Sequence, residues 1–166
     1  MQIVPLLQVP ELLHTAASAL FDAFGQADPS ASIQRGVGRL TSRLNQDELP
    51  ICLVAHESGE FLGTASVVIE ELASHPHLSP WLSGVLVQPT HRRRGIGKAL
   101  VASCVHFAAD LGFEQMYLFT PESKAFYGRL GWQPFESVSR ANSSGTIMSR
   151  SVVPNPSFQR TAFGSL

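Results

Sequence analysis

The sequence predicts one mixed α/β domain, and three observations predict it. Short apolar runs rich in β-branched residues alternate with stretches whose apolar residues recur at helical spacing. Glycine and proline punctuate the joins between them. A chain of 166 residues, 44% hydrophobic, is long enough to bury a real core and does not call for a second domain.

Residues 2–7 read as an opening strand. Residues 10–24 follow as a helix with Leu12, Leu13, Ala16, Leu20 and Phe24 on one side, and Gly25 and Pro29 break it. A second helix is expected over 33–45, carrying Val37, Leu40 and Leu44, with Pro50 as its limit. The apolar runs 51–57 and 61–69 are joined by Ser58-Gly59-Glu60, a hairpin signal. Residues 70–80, with Ser74-His75-Pro76-His77 and Ser79-Pro80, are a loop by composition. The run 81–87 is a buried strand. After it Ile96, Leu100, Val101, Cys104, Val105, Ala108 and Leu111 recur at helical spacing, with Gly112 where a C-cap belongs. A strand over 115–119 precedes a short helix over 122–130 closed by Gly131. Residues 133–139 and 146–152 form a last antiparallel pair around Asn142-Ser143-Ser144-Gly145. The domain is thus expected to span 1–153, and residues 154–166, polar with two prolines, to form a weakly held tail.

Bulk properties exclude several classes. A formal charge of -1 is wrong for a general nucleic-acid binder, which needs a broad basic face. No apolar run approaches the ~18 residues of a membrane span, and the first residues carry acid and proline rather than a basic leader, so no membrane partner and a cytoplasmic location are expected. Cys52 and Cys104 lie in apolar segments without partner spacing and read as free core thiols of a reducing compartment. No metal site is expected, because His75 and His77 have no placed third ligand. A hydrolase reading of His91 and Ser83-Gly84 lacks a Gly-x-Ser-x-Gly elbow. The assembly is expected to be a monomer or homodimer.

The chemistry concentrates in Gln88-Pro89-Thr90-His91-Arg92-Arg93-Arg94-Gly95-Ile96-Gly97-Lys98, a turn between a strand and the N-terminus of a helix. Unpaired first-turn N–H groups and the positive end of the helix dipole converge there. Gly95 and Gly97 leave the main chain accessible, while Arg92, Arg93, Arg94 and Lys98 add positive potential, so the turn reads as a phosphate loop. A Walker A loop would need Gly at Arg92 and Ser or Thr at Ala99, and a dinucleotide fingerprint would need a third Gly at Leu100. A second motif, Ala125-Phe126-Tyr127-Gly128-Arg129-Leu130-Gly131-Trp132, sets a tyrosine on a short helix before a Leu-Gly-aromatic exit.

Together, over about residues 81–132, the two motifs resemble the GNAT superfamily of acyl-CoA-dependent N-acyltransferases. The resemblance implies a central, mostly antiparallel twisted sheet flanked by helices, acetyl-CoA as cosubstrate, and direct attack of an amine on the thioester. It implies that Arg92 to Lys98, with the amide of Ile96 among them, hold the pyrophosphate. The Val87 backbone would pair with the pantetheine arm and the Val85 N–H would face the developing oxyanion. Tyr127 would give a proton to the leaving thiolate. The family often carries an asparagine where Thr120 stands here, and a glutamate early on the strand that Trp81 opens; this chain departs at both. The base is then expected in the preceding loop, as Glu71 acting through water or His77, with Glu70 and His75 nearby. Trp81, Glu70 and Glu71 would suit a cationic acceptor, either a small molecule or a peptide amine. The alternative is a catalytically silent acyl-CoA sensor, in which the Tyr127 hydroxyl has no task.

Overall fold

Period-two alternation sorts this sequence onto the two sides of one sheet. A computed structural model describes residues 1–139 and 144–152. Seven strands, β1 (Gln2–Pro5), β2 (Ile51–Glu57), β3 (Glu60–Val68), β4 (Trp81–Val87), β5 (Gln115–Thr120), β6 (Gln133–Ser139) and β7 (Ser144–Ser151), pair in the order β1-β2-β3-β4-β5-β7-β6. Along β2, Ile51, Leu53 and Ala55 enter a core built with α3 (Ile96–Asp110). The intervening Cys52 and Val54 enter a second core under α1 (Leu13–Leu20) and α2 (Ile33–Thr41). In β5, Met116 and Leu118 join the α3 core, while Tyr117 and Phe119 pack on the other side against Val68, Leu72, Leu78, Trp81 and Ile147.

The expected elements form with changed boundaries: β3 starts and ends one residue earlier than expected, β5 extends to Thr120, and β7 begins at Ser144, so Ser144 and Gly145, read as turn, lie in the strand. The strand at the start ends at Pro5, which has no N–H to give a ladder, and residues 6–8 turn as a 3-10 helix. The first helix is composite: a 3-10 turn at Pro10–Leu12, then α1, then a π-helical turn at Phe21–Gly25. That turn rotates Phe24 out to solvent, at 58% exposure, although helical spacing had put it on the buried side. The second helix stops at Thr41, and the residues after it are tied to the entry into β2: Cys52 N–H donates to the Arg43 carbonyl at 3.2 Å, and Asn45 Nδ2 donates to the Pro50 carbonyl at 2.7 Å. The helix expected over 122–130 is α4 (Lys124–Arg129). Asn142 and Ser143 of the expected last turn, and the tail over 154–166, lie outside the described residues.

Two irregularities position the site. The β4 and β5 strands run parallel but share register only at Trp81 with Tyr117 and Leu82 with Leu118, after which they part and leave a fork. On its other edge β4 carries a bulge: Thr64 pairs with Leu86 and Ser66 with Ser83, so Ala65 alone faces both Gly84 and Val85. Gly84 takes φ +61, a left-handed conformation that only glycine adopts cheaply. The bulge thus lies at Gly84 and Val85, just past the level where the fork opens.

Candidate functional site

One lip of the fork ends in the phosphate loop. Gly95 is the N-cap of α3, at φ +77, and provides no capping side chain. The first helical bond runs from Ala99 N–H to the Gly95 carbonyl at 3.0 Å. The N–H groups of Ile96, Gly97 and Lys98 precede it and have no partner within the helix. A Cβ at Gly95 would meet nothing within 4 Å, so its backbone angle rather than crowding requires glycine. Gly97 differs: a Cβ there would lie 3.4 Å from Phe126 Cζ and 3.5 Å from Val87 Cγ2. Gly97 is therefore where α3, β4 and α4 converge.

The basic residues of the loop do not act as one cluster. The Arg94 guanidinium donates to His91 Nδ1 at 2.9 Å and lies 3.7 Å from Glu57 Oε2. A guanidinium cannot accept, so His91 Nδ1 holds a lone pair, and Nε2 carries the proton given to Glu60 Oε1 at 3.0 Å. Glu57 also receives the Met1 ammonium at 2.8 Å. Arg94 is thus fastened to the β2–β3 hairpin, and its charge is partly matched by a carboxylate. Arg92 Nε donates to the Val87 carbonyl at 3.2 Å, bracing the loop on the end of β4. Arg93, itself at φ +61, and Lys98 have no carboxylate partner among the described residues. Arg92 also lines a groove of about 630 Å³ with His14, Ser18, Asp22, Leu86 and Gln88.

Across the fork stands Tyr127 on α4. Thr120, at the end of β5, is buried, and its Oγ1 accepts from Ser123 N–H at 2.9 Å to start the turn into that helix. The Tyr127 carbonyl accepts from Leu130 N–H at 2.9 Å and Trp132 N–H at 3.1 Å and so closes it. The phenol ring is half-buried on the α3 core, edge-on to Phe126 at 5.0 Å and to Trp132 at 6.3 Å. Burial, with a smaller contribution from Cys104 beneath it, pushes the Tyr127 hydroxyl up to about 12. The wholly buried Cys104 thiol is pushed up further by the same desolvation.

The loop expected to hold the base lies at the closed end of the fork. Val68, the last residue of β3, pairs with Trp81, and the loop begins beyond it. Val85 is four residues further along β4, roughly 13 Å at strand rise. Glu71 is half-buried and His77 exposed, its ring 5.8 Å from that of His75. Two expectations change here. Trp81 is 0% exposed and donates its indole N–H to the Leu78 carbonyl at 2.6 Å, so it is core and offers no face to an acceptor. His75 is buried and bonded through Nδ1 to Ser74 Oγ at 2.7 Å and through Nε2 to Glu136 at 3.1 Å, which ties the loop to edge strand β6. The sequence reading missed Phe126, which meets the phosphate loop, and Glu136, because neither contact has a local spacing signal.

The span that holds both the glycine- and arginine-rich turn and the tyrosine helix falls within a family match: the family model described as "Acetyltransferase (GNAT) family" matches residues 12–132. The chain belongs to the GNAT family. Among relatives, it is 29% identical over 134 residues to mouse N-alpha-acetyltransferase 80, an alignment that covers 78% of this chain and 40% of that one. It is also 42% identical over 59 residues to rice acetyl transferase GW6a, covering 32% of this chain and 14% of the relative. The chain thus spans less than half the length of either. Among solved structures, the fold matches an aminoglycoside 6'-N-acetyltransferase complexed with coenzyme A, with TM-score 0.74, 17% identity and coverage of 94% and 99%. The aminoglycoside 6'-N-acetyltransferase from Enterococcus faecium matches with TM-score 0.71 and 18% identity, at coverage of 94% and 99%.

The residues present fit coenzyme A, the molecule complexed in the first of these solved structures. The uncapped start of α3 offers N–H groups of the kind that can hold a phosphate, with Arg93 and Lys98 beside them. The edge of β4 that β5 leaves unpaired beyond Leu82 is a free strand edge on which an amide-bearing arm can add as a strand does. Among the described residues, no group of three or more His, Cys, Asp or Glu side chains could hold a metal ion, and no helix is long and apolar enough to cross a membrane.

Proposed function

We propose that this GNAT domain transfers an acetyl group from acetyl-CoA to a primary amine, and that Tyr127 and the Val85 N–H serve the chemical step. The observation that supports this most is the fork itself, which opens at the β4 bulge between the phosphate loop and Tyr127. The first-turn amides of Ile96 to Lys98 bind the pyrophosphate, aided by Arg92, Arg93 and, from its place on Glu57, Arg94. Val87 holds the pantetheine arm through its backbone. The Val85 N–H, at the bulge, stabilises the charge that grows on the carbonyl oxygen as the amine attacks. The C–N bond replaces the C–S bond, the amine loses a proton, and the sulfur takes one from Tyr127.

The acid strength of Tyr127 bears on that last transfer. A phenol at about 12 facing a thiol of ordinary pKa about 8.5 gives its proton up at a cost of about 5 kcal/mol. A thiolate forming in the same cleft is itself desolvated, as the shift of nearby Cys104 illustrates, and the gap narrows accordingly. The hydroxyl also stays protonated at every physiological pH.

For the amine proton we assign Glu71 or His77, either one acting through water because both lie at the closed end of the fork. The acceptor is a small-molecule or peptide amine: the mouse relative's name points to a peptide α-amine, and the solved neighbours' names to aminoglycosides. The free, buried Cys52 and Cys104 suit a reducing cytoplasm. The test is release of free thiol from acetyl-CoA across a panel of polyamines, aminoglycosides and peptides. Amine-dependent release supports the proposal. Thermal stabilisation by acetyl-CoA with no release from any amine would instead support the silent sensor.

A further inference from the structure

We propose that the groove between the end of α2 and the end of β3 is a second binding site, which holds the carboxylate of a small organic acid on Arg43 and Arg39. Both residues line that groove, of about 360 Å³, together with Pro50, Val68, Ile69 and Glu70. Val68 pairs with Trp81 at the closed end of the fork, so the groove lies away from Val85 and the phosphate loop.

The ordinary task of an arginine at a helix C-terminus is to serve the last free carbonyls. Here other donors already do so. Thr41 Oγ1 donates to the Val37 carbonyl at 2.8 Å, and Ser42 gives its N–H to the Gly38 carbonyl at 3.2 Å and its Oγ to that of Arg39 at 2.7 Å. The Arg43 and Leu44 N–H groups take the Leu40 and Thr41 carbonyls at 2.9 and 3.3 Å. Neither guanidinium makes a hydrogen bond or an ion pair among the described residues. The two cations stand one helical turn apart, a spacing at which like charges repel. Arg43 is also half-buried, and burial pushes its pKa down. The groups that face it do not offset this. The Cys52 thiol is itself pushed up by burial and stays un-ionised, Glu71 makes no ion pair with it, and Arg39 adds charge of the same sign. A partly desolvated guanidinium with five donors and no acceptor is a place for an anion.

The rest of the lining selects the anion. A guanidinium matches a carboxylate bidentately. Ile69, 51% exposed, forms an apolar wall with Val68 and Pro50. Glu70 adds a negative charge to the lining, which opposes a dianion such as phosphate more than a monoanion. The ligand is therefore a monocarboxylate with an apolar body.

The test is calorimetric titration of the full chain in saturating coenzyme A, which keeps the probes off the phosphate loop. The probes are benzoate, its neutral isostere benzamide, and inorganic phosphate. Benzoate should bind one to one with a Kd of about a millimolar, and the other two at least about tenfold more weakly. Arg43→Gln should weaken benzoate about tenfold, the low end for a hydrogen bond to a charged group, and Arg43→Lys less. Arg39→Gln should also weaken it, and carries the test if Arg43→Gln does not fold. Arg35→Gln, on the first turn of the same helix and outside the groove, should bind benzoate as wild type does. No benzoate binding by the wild type would overturn the proposal. So would equal binding of benzamide or phosphate, unchanged affinity in both Arg43→Gln and Arg39→Gln, or an equal loss in Arg35→Gln. With an amine that the chain acetylates, benzoate inhibition that competes with the amine and is lost in Arg43→Gln assigns the carboxylate to the acceptor. Non-competing or absent inhibition assigns it to a separate ligand of the same site. The titration needs no turnover, so a failure of acetyl transfer would overturn the proposed function and leave this site standing.

Discussion

Replacing Tyr127 by Phe removes one hydroxyl and keeps the ring that packs on Phe126 and Trp132. The size of the effect follows from acid strength. With the phenol at about 12 and bulk water at about 15.7, the replacement proton donor is weaker by about 3.7 units. If about half of that difference is felt in the barrier, turnover falls roughly a hundredfold, within the usual range for a general acid. The fold should barely respond, because the hydroxyl has no hydrogen-bond partner among the described residues and the apolar contacts stay. The assay is the thiol-release rate at saturating acetyl-CoA, with affinity measured separately by titration. We expect kcat to fall with acetyl-CoA affinity near wild type. Wild-type turnover in the variant would refute the reasoning and assign Tyr127 to packing alone.

Three further outcomes are expected. Gly97→Val should weaken acetyl-CoA binding about tenfold in a titration, since a Cβ there only just clears Phe126 and Val87 and the added methyls do not; unchanged affinity would remove Gly97 from the cleft. The denatured chain ionises Tyr127 near 10 and the fold keeps it protonated to about 12, so its contribution to stability is whole below pH 10 and is lost as pH rises to 12. Denaturant titrations should show that loss, at most about 3 kcal/mol, in wild type and not in Tyr127→Phe. Glu71→Gln should lower the rate and flatten its rise with pH while acetyl-CoA binding persists, and His77→Ala serves as its pair. A flattened profile in His77→Ala alone transfers the role to the histidine, and a normal profile in both leaves the proton to solvent.

Element order and both motifs were legible in the sequence because their signals are local. The glycines at 95 and 97 marked a helix start stripped of side chains, whereas the unbroken apolar run 51–55 gave no sign that Ile51, Leu53 and Ala55 would part from Cys52 and Val54. Phe24 misled because a helical repeat carries no sign of a π-turn. Residues 61–69 and 81–87 announced strands, but not that β4 would leave β5 after Leu82; that parting depends on which strands become neighbours. The same holds for charge. Arg92, Arg93 and Arg94 look equivalent in sequence, and it is the tertiary placement of Glu57, 37 residues earlier in the chain, together with His91 that takes Arg94 aside. Trp81 and His75 read as acceptor-side groups because burial is a property of the packed chain: Leu78 and Glu136 satisfy their polar atoms. Gly145 read as part of a turn, whereas it lies inside β7, where the Phe119 ring and the Thr120 carbonyl both stand within 3 Å of the place a Cβ would take. Backbone chemistry within a few residues is written in the sequence, whereas what each side chain meets across the sheet was decided by the tertiary structure, where contacts between distant residues are made.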